Sequence, residues 1–252
     1  MQGVVEEACQ RILRMAEPVG LTVAGRTDAG VHAQGQVAHI DITQTAWQAL
    51  PGRGHHAPEH ALVRRMNAVL PDDVVVKAAT PVPDAFDARF SALWRGYSYR
   101  IMFFADPLLR RFAVHHRQVD LARLNAASNL LLGERDFGAF CKARPGATTI
   151  RTLHEFTWQP WLGPTGTSGV VARVRADAFC HHMVRSLVGA CLMVAGGKRS
   201  LEWLNSTASQ TTRSSEVKVA PARGLVLEQV AYPDDDQLAA QARAARRIRS
   251  LG

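Results

Sequence analysis

Apolar side chains at Val4, Val5, Ala8, Ile12 and Leu13 recur at helical spacing, and Pro18 stops the pattern, which predicts a helix at the start of the chain. Residues 21–24 read as a short strand, and residues 36–42 alternate apolar and polar as a second one. The polar run GRTDAGVHAQG, bracketed by glycines, lies between them. Residues 51–60 are loop-like, residues 58–70 suit a helix with proline at its start, and the β-branched run 74–79 reads as a short buried strand. The segment TPVPDAF, with two prolines, reads as a linker.

A second series of elements follows. Arg95, Tyr97, Tyr99, Ile101 and Phe103 share one face of a predicted strand. Asp120 is placed to cap a helix carrying Leu121, Leu124, Leu130 and Leu131, and Gly133 is placed to close it. Residues 153–162 and 170–179 read as strands, the latter with Val171, Arg173 and Arg175 on one side. Residues 182–195 form an apolar helical run ending at Gly196 and Gly197, and residues 225–232 a last strand. The Ala- and Arg-rich tail, with Arg243, Arg246, Arg247 and Arg249, suits a solvated helix or a frayed end. Strands and helices mix without strict βαβ alternation, which predicts an α+β fold with antiparallel sheets.

Composition narrows the class. At 252 residues the chain fits one or two domains, and 47% hydrophobic content excludes a wholly disordered polymer. The longest apolar run, residues 187–197, is short of a membrane span and holds three glycines. No secretory signal is visible at the start, where Glu6 and Glu7 interrupt the apolar positions. Cys9, Cys141, Cys180 and Cys191 are scattered without a CxxC pair, which argues against a disulfide scaffold or a zinc ribbon and makes a reducing cytoplasm the expected location. Thirty basic against 22 acidic residues give a net charge of +8, a first hint of a polyanionic partner. Residues 89–118 hold six arginines (Arg89, Arg95, Arg100, Arg110, Arg111, Arg117) against one acid, Asp106, and Lys142 and Arg144 add a basic loop. Together these fit phosphate contacts along an RNA groove. His55, His56 and His60, the pair His115 and His116, and the pair His181 and His182 have no carboxylate or cysteine at metal-ligand spacing, so no metal site is expected.

The stretch from Gly25 to Gly30 carries the most chemistry. By residue type alone, Asp28 between glycines reads first as a polar turn and only second as a ligand-facing loop. GRTDAGVHA, however, resembles the catalytic-loop signature of the tRNA pseudouridine synthase A family. Further matches follow in the family's order: DARFSA from Asp87, RGYSYR from Arg95, GERDF from Gly133, TTIR from Thr148, FCHHMVR from Phe179, and Gly224-Leu225. The similarity runs over residues 2–233.

That resemblance implies two RNA-recognition-like (ferredoxin-like) α+β domains, with antiparallel sheets and a basic cleft between them. The expected division is residues 1–85, carrying the aspartate loop, residues 86–236, and a basic tail at 237–252. It implies conversion of uridine to pseudouridine in the anticodon arm of tRNA, at positions 38 to 40, by a homodimer without metal, membrane or organic cofactor. Asp28 matches the attacking aspartate, Arg185 the arginine paired with it, and Tyr97 the tyrosine that stacks on the base. Arg26, with Thr27 beside it, matches the residues that hold the flipped-out nucleotide. Phe179 and Leu225 are expected to wall the uracil pocket, and Arg89 and Lys142 to meet the RNA. Two departures stand out. The family opens with a strand bearing YDG-like and GWQ-like segments, whereas Met1-Gln2-Gly3-Val4 already matches the first helix, so about one strand is expected to be missing. Arg223 stands where the family usually has an acid. A non-catalytic RNA-binding relative, inactivated by N-terminal truncation, is the alternative.

Overall fold

The computed structural model describes residues 1–15, 17–142, 144, 146 and 148–247; Arg249 of the tail lies outside them. Helix α1 (Gln2–Leu13) buries Ala8, Cys9, Ile12 and Leu13 along one stripe, as the spacing predicts, and ends at Arg14 in a left-handed conformation before Pro18 is reached. Three two-residue strands follow, β1 (Thr22–Val23), β2 (His32–Ala33) and β3 (Ala38–His39), with β1 and β3 paired antiparallel. Helix α2 (Gln44–Ala49) is capped by the Thr43 hydroxyl, which accepts from the Ala46 amide, and α3 (Pro58–Asn67) starts on its proline. Leu50, Ala61, Leu62 and Met66 pack against the α1 stripe to form a small core.

The run 74–79 is not a buried strand. Val75 is 66% exposed, and the backbone N–H and C=O of Val76 both bond to the side-chain amide of Asn67, at 2.8 and 2.9 Å. A β-branched sequence whose backbone groups are met by a side chain joins no ladder.

The main sheet is built from β4 (Trp94–Met102), β5 (Val114–His115), β6 (Gly133–Asp136), β7 (Ile150–Leu162), β8 (Ser168–Ala176) and β9 (Leu225–Ala231), together with β2. Its order is β2-β9-β4-β8-β7-β6, with β5 attached to β4. The central pairs are antiparallel, whereas β2 on β9 and β5 on β4 are parallel, so the sheet is mixed. Along β4 the face read from sequence carries Tyr99 and Ile101 fully buried, while Ser98 and Met102 are buried on the other face, so the strand is covered on both sides there. Helices α4 (Leu121–Asn129), α5 (Met183–Ala195) and α6 (Leu201–Ala208) cover the Tyr99 face, and Leu124, Leu187 and Leu204 meet Phe156 and Leu153 in the large core. Asp120 caps α4 by accepting from the Ala122 and Arg123 amides. Gly133 lies beyond the helix end, opening β6.

Helix α7 (Leu238–Arg246) is not simply solvated. Leu238 and Ala242 are buried, and the Gln241 amide donates to the Ala92 carbonyl. The chain is thus α+β, and among the described residues no helix is long and apolar enough to cross a membrane.

Candidate active site

Asp28 sits in the loop between β1 and β2. The loop is tied back by Ala24 N–H to the Val37 carbonyl at 2.8 Å and by a turn bond from Val31 N–H to the Asp28 carbonyl at 3.1 Å. Gly30 adopts φ +80°, a conformation that glycine enters without steric cost. The chain leaves the loop as β2, which pairs in parallel with the start of strand β9 in the register His32 with Val226 and Ala33 with Leu227. The loop is therefore held to the edge of the main sheet.

Arg185 reaches Asp28 from the first turn of α5, an otherwise apolar helix. Its Nη1 donates to Asp28 Oδ2 at 2.8 Å, and its Nε donates to the Ala220 carbonyl at 2.7 Å. The Ala220 amide returns a bond to the Arg185 carbonyl at 3.0 Å. Both ion-pair side chains are mostly enclosed, 17% and 20% exposed, which gives the pair more weight than a surface salt bridge.

Two imidazoles complete the surroundings of the carboxylate. His181 Nε2 lies 3.3 Å from Oδ1, and His182 Nε2 lies 3.6 Å from Oδ2. The rings lie 4.0 Å apart between centroids. His182 is the N-cap of α5 and holds φ +70°, a left-handed conformation that costs a non-glycine residue about 1 kcal/mol. Burial lowers its pKa, against the opposing pull of Asp28, so the neutral ring is favoured, and its Nδ1 is buried without a partner.

Tyr97 lies on β4 beside a bulge against β9 between Gly96 and Tyr97. Such bulges re-aim side chains. Its ring meets Phe179 edge-on at 5.1 Å. Burial pushes the phenol up to about 12, and the charge of Asp28 adds in the same direction. Leu225, the first residue of β9, is buried in the large core. Thr27 is half-buried beside Asp28, and Arg26 is exposed. Arg89 is exposed, its guanidinium 5.0 Å over the Phe90 ring. Lys142 is exposed, and its backbone N–H donates to the His181 carbonyl at 2.9 Å.

The structure brings Asp28, Arg185, His181 and His182 together and sets Tyr97 against Phe179. It does not draw Arg26, Arg89 or Lys142 into that cluster, and among the described residues none of these three cations has a side-chain hydrogen bond or ion pair. The expected row of phosphate-facing arginines also needs correcting. Arg95 is 8% exposed and donates to the carbonyls of Asp177, Ala24 and Arg89, so it ties the aspartate loop to the sheet from inside. Arg100 is paired with Glu228 at 2.8 Å.

Two features escaped the sequence reading. Ligand-capable atoms of Asp28, His181 and His182 lie within 4.8 Å of one another, so a carboxylate does reach this histidine pair in space. A cation there would meet the Arg185 guanidinium already on Oδ2. Cys141 and Cys180, far apart in sequence, lie side by side with Cα atoms 5.7 Å apart, which sets the basic loop against the residue before His181. The spacing of the cysteines gave no sign of this contact.

A family model described as tRNA pseudouridine synthase matches residues 127–233. Among curated proteins, the chain is 52% identical over 254 residues to a tRNA pseudouridine synthase A of Cutibacterium acnes, covering 99% of this chain and 86% of that protein. It is 46% identical over 255 residues to the protein of that name from Streptomyces griseus, covering 100% and 86%. It is 47% identical over 264 residues to that from Leifsonia xyli, covering 100% and 90%.

Proposed function

The chain belongs to the tRNA pseudouridine synthase A family, and from that premise we propose that it isomerises uridine to pseudouridine in the anticodon arm of tRNA, at positions 38 to 40, with Asp28 as nucleophile. The observation that carries the reading is the Asp28 carboxylate, set between glycines on a loop and paired with Arg185 at 2.8 Å. Isomerisation breaks the bond from ribose to uracil N1 and rejoins the sugar to C5. A positioned carboxylate divides that exchange into two easier steps through a covalent intermediate. The guanidinium balances the carboxylate's charge where uracil excludes water, and its second bond, to Ala220, keeps one oxygen in place.

In this reading Tyr97 stacks on the uracil as a neutral phenol, and Phe179 and Leu225 wall the pocket. Arg26 and Thr27 hold the nucleotide once it has left the helical stack. Arg89 and Lys142 meet phosphates, supplying affinity rather than base choice. The reading further takes residues 1–85 and 86–236 as two RNA-recognition-like domains flanking a basic cleft, with the tail from residue 237 outside it. It takes a homodimer as the working form, no metal or organic cofactor as needed, and the cytoplasm as the place of action.

The test is tritium release from tRNA carrying 5-tritiated uridine. The unsubstituted chain is expected to release tritium, and Asp28→Asn to abolish release while tRNA binding persists. Salt-sensitive tRNA binding without release, unchanged by Asp28→Asn, would instead mark a non-catalytic RNA-binding relative.

A further inference from the structure

We propose that His181 is a further catalytic residue, the hydrogen-bond donor to Asp28 Oδ1, and that Oδ1 is the oxygen that attacks the substrate. The assignment rests on Asp28 acting as the nucleophile. The two carboxylate oxygens are not equivalent. Oδ2 carries the Arg185 guanidinium at 2.8 Å, with His182 at 3.6 Å on the same oxygen. Arg185 cannot follow the carboxylate through a rotation, because its Nε is engaged by the Ala220 carbonyl. Oδ2 is thus committed, and Oδ1 is the oxygen with lone pairs to spend on a carbon. Among the described residues, the one group against Oδ1 is the His181 imidazole, at 3.3 Å.

The position of that imidazole is built in from several sides. Its ring rests on His182, which is fixed by its left-handed backbone at the start of α5. Its carbonyl is held by the Lys142 amide, and the residue before it lies against Cys141, with Cα atoms 5.7 Å apart. A backbone held in a costly conformation persists only where its surroundings over-determine it, and such sites cluster where chemistry is done.

The chemistry follows from the charge on Oδ1. Attack forms a bond from Oδ1 to the substrate carbon and displaces an electron pair onto the uracil; departure returns the C–O pair to Oδ1. The oxygen loses its negative charge in the first step and regains it in the second. An imidazole N–H on Oδ1 stabilises the carboxylate as it departs and weakens it as it attacks, so the benefit falls on the departure step, whichever carbon is attacked. The His181 contact is within reach of Oδ1 but not aligned as a hydrogen bond in the unliganded site, and catalytic contacts of this kind tighten once substrate closes it.

The test compares His181→Ala, His181→Leu and His181→Gln in the full chain, each measured by single-turnover tritium release, by tRNA Kd and by thermal unfolding. With departure of Asp28 from the covalent intermediate as the slow step, the Ala and Leu variants are expected to release tritium ~10- to 100-fold more slowly, a range set by the loss of one donor to a charged oxygen. Their Kd should stay within about twofold, since one donor to Asp28 adds little to phosphate-driven affinity. Gln, whose side-chain N–H can reach the same oxygen, is expected to recover most of the rate. Leu keeps the bulk, so a folded Leu variant carries the test if Ala does not fold. Rates within about twofold of the unsubstituted chain, or a folded Gln variant as slow as Leu, would overturn the role of His181 while leaving the activity standing. No release from the unsubstituted chain would overturn the activity itself, and this role with it.

Discussion

A tyrosine held neutral beside a carboxylate is better suited to present a face than to take a proton. Burial pushes the Tyr97 phenol up to about 12, and Asp28 pushes the same way, so raising the pH ionises it only as that value is approached. We therefore expect Tyr97→Phe to keep tritium release within about tenfold, and Tyr97→Ala to lose ~100-fold, the order of one base-stacking contact plus the pocket wall. A release profile with a Tyr-dependent limb near neutral pH would contradict this. Single residues also divide what sequence could and could not give. Asp28 and Arg185 were legible because each stands in a dense motif, GRTDAGVHA and FCHHMVR, and the structure pairs them at 2.8 Å. The reach of His181 and His182 to Asp28 was not: they stand in the same motif as Arg185, but the resemblance gave only the arginine a partner, and no local spacing encodes the contact. Arg95 is the instructive error. Its place in the alternation, on the face of Tyr99 and Ile101, already pointed inward, yet its charge argued for the surface, and three carbonyls decided the matter.

Helix α5 joins packing to the site. Gly189 lies one turn beyond Arg185, and a Cβ there would overlap the Lys218 carbonyl oxygen. The backbone at 218–220 also holds Arg185, through reciprocal bonds with Ala220. Gly189→Ala is accordingly expected to cost about 2 kcal/mol by overpacking, read by urea denaturation, and to slow tritium release by moving the arginine's anchor. Unchanged stability with full activity would mean that the 218–220 backbone yields freely. Long elements of this kind were legible: α1, α4, α5, β4, β7, β8 and β9 all carry a period long enough to see. The two-residue strands β1, β2, β3 and β5 carry no period at all, and the short helices α2 and α6 very little. The run 74–79 misled for a different reason, since its composition is that of a strand and only the Asn67 side chain, seven or more residues away, shows where its hydrogen bonds go.

At the scale of the whole molecule, the chain's three tyrosines offer a single alkaline readout. Burial raises all of them, Tyr97 to about 12 and Tyr99 and Tyr232 higher still. A folded pKa above that of the free phenol, about 10, means that the unfolded chain ionises first. Stability is thus intact below pH ~10 and is lost as pH rises toward the folded values. Phenolate absorbance should appear together with the loss of secondary structure by circular dichroism; a gradual rise near pH 10 from a still-folded protein would show the rings to be open to water. One tie spans the length of the chain. The parallel pairing of β2 with β9 seats the strand that follows Asp28 in the same sheet as residues nearly two hundred positions later. Residues 80–85, by contrast, are exposed and free of helix or strand. A protease nick there leaves both pieces laced together by that ladder, so the point where the backbone is easiest to cut is not a point at which the protein comes apart.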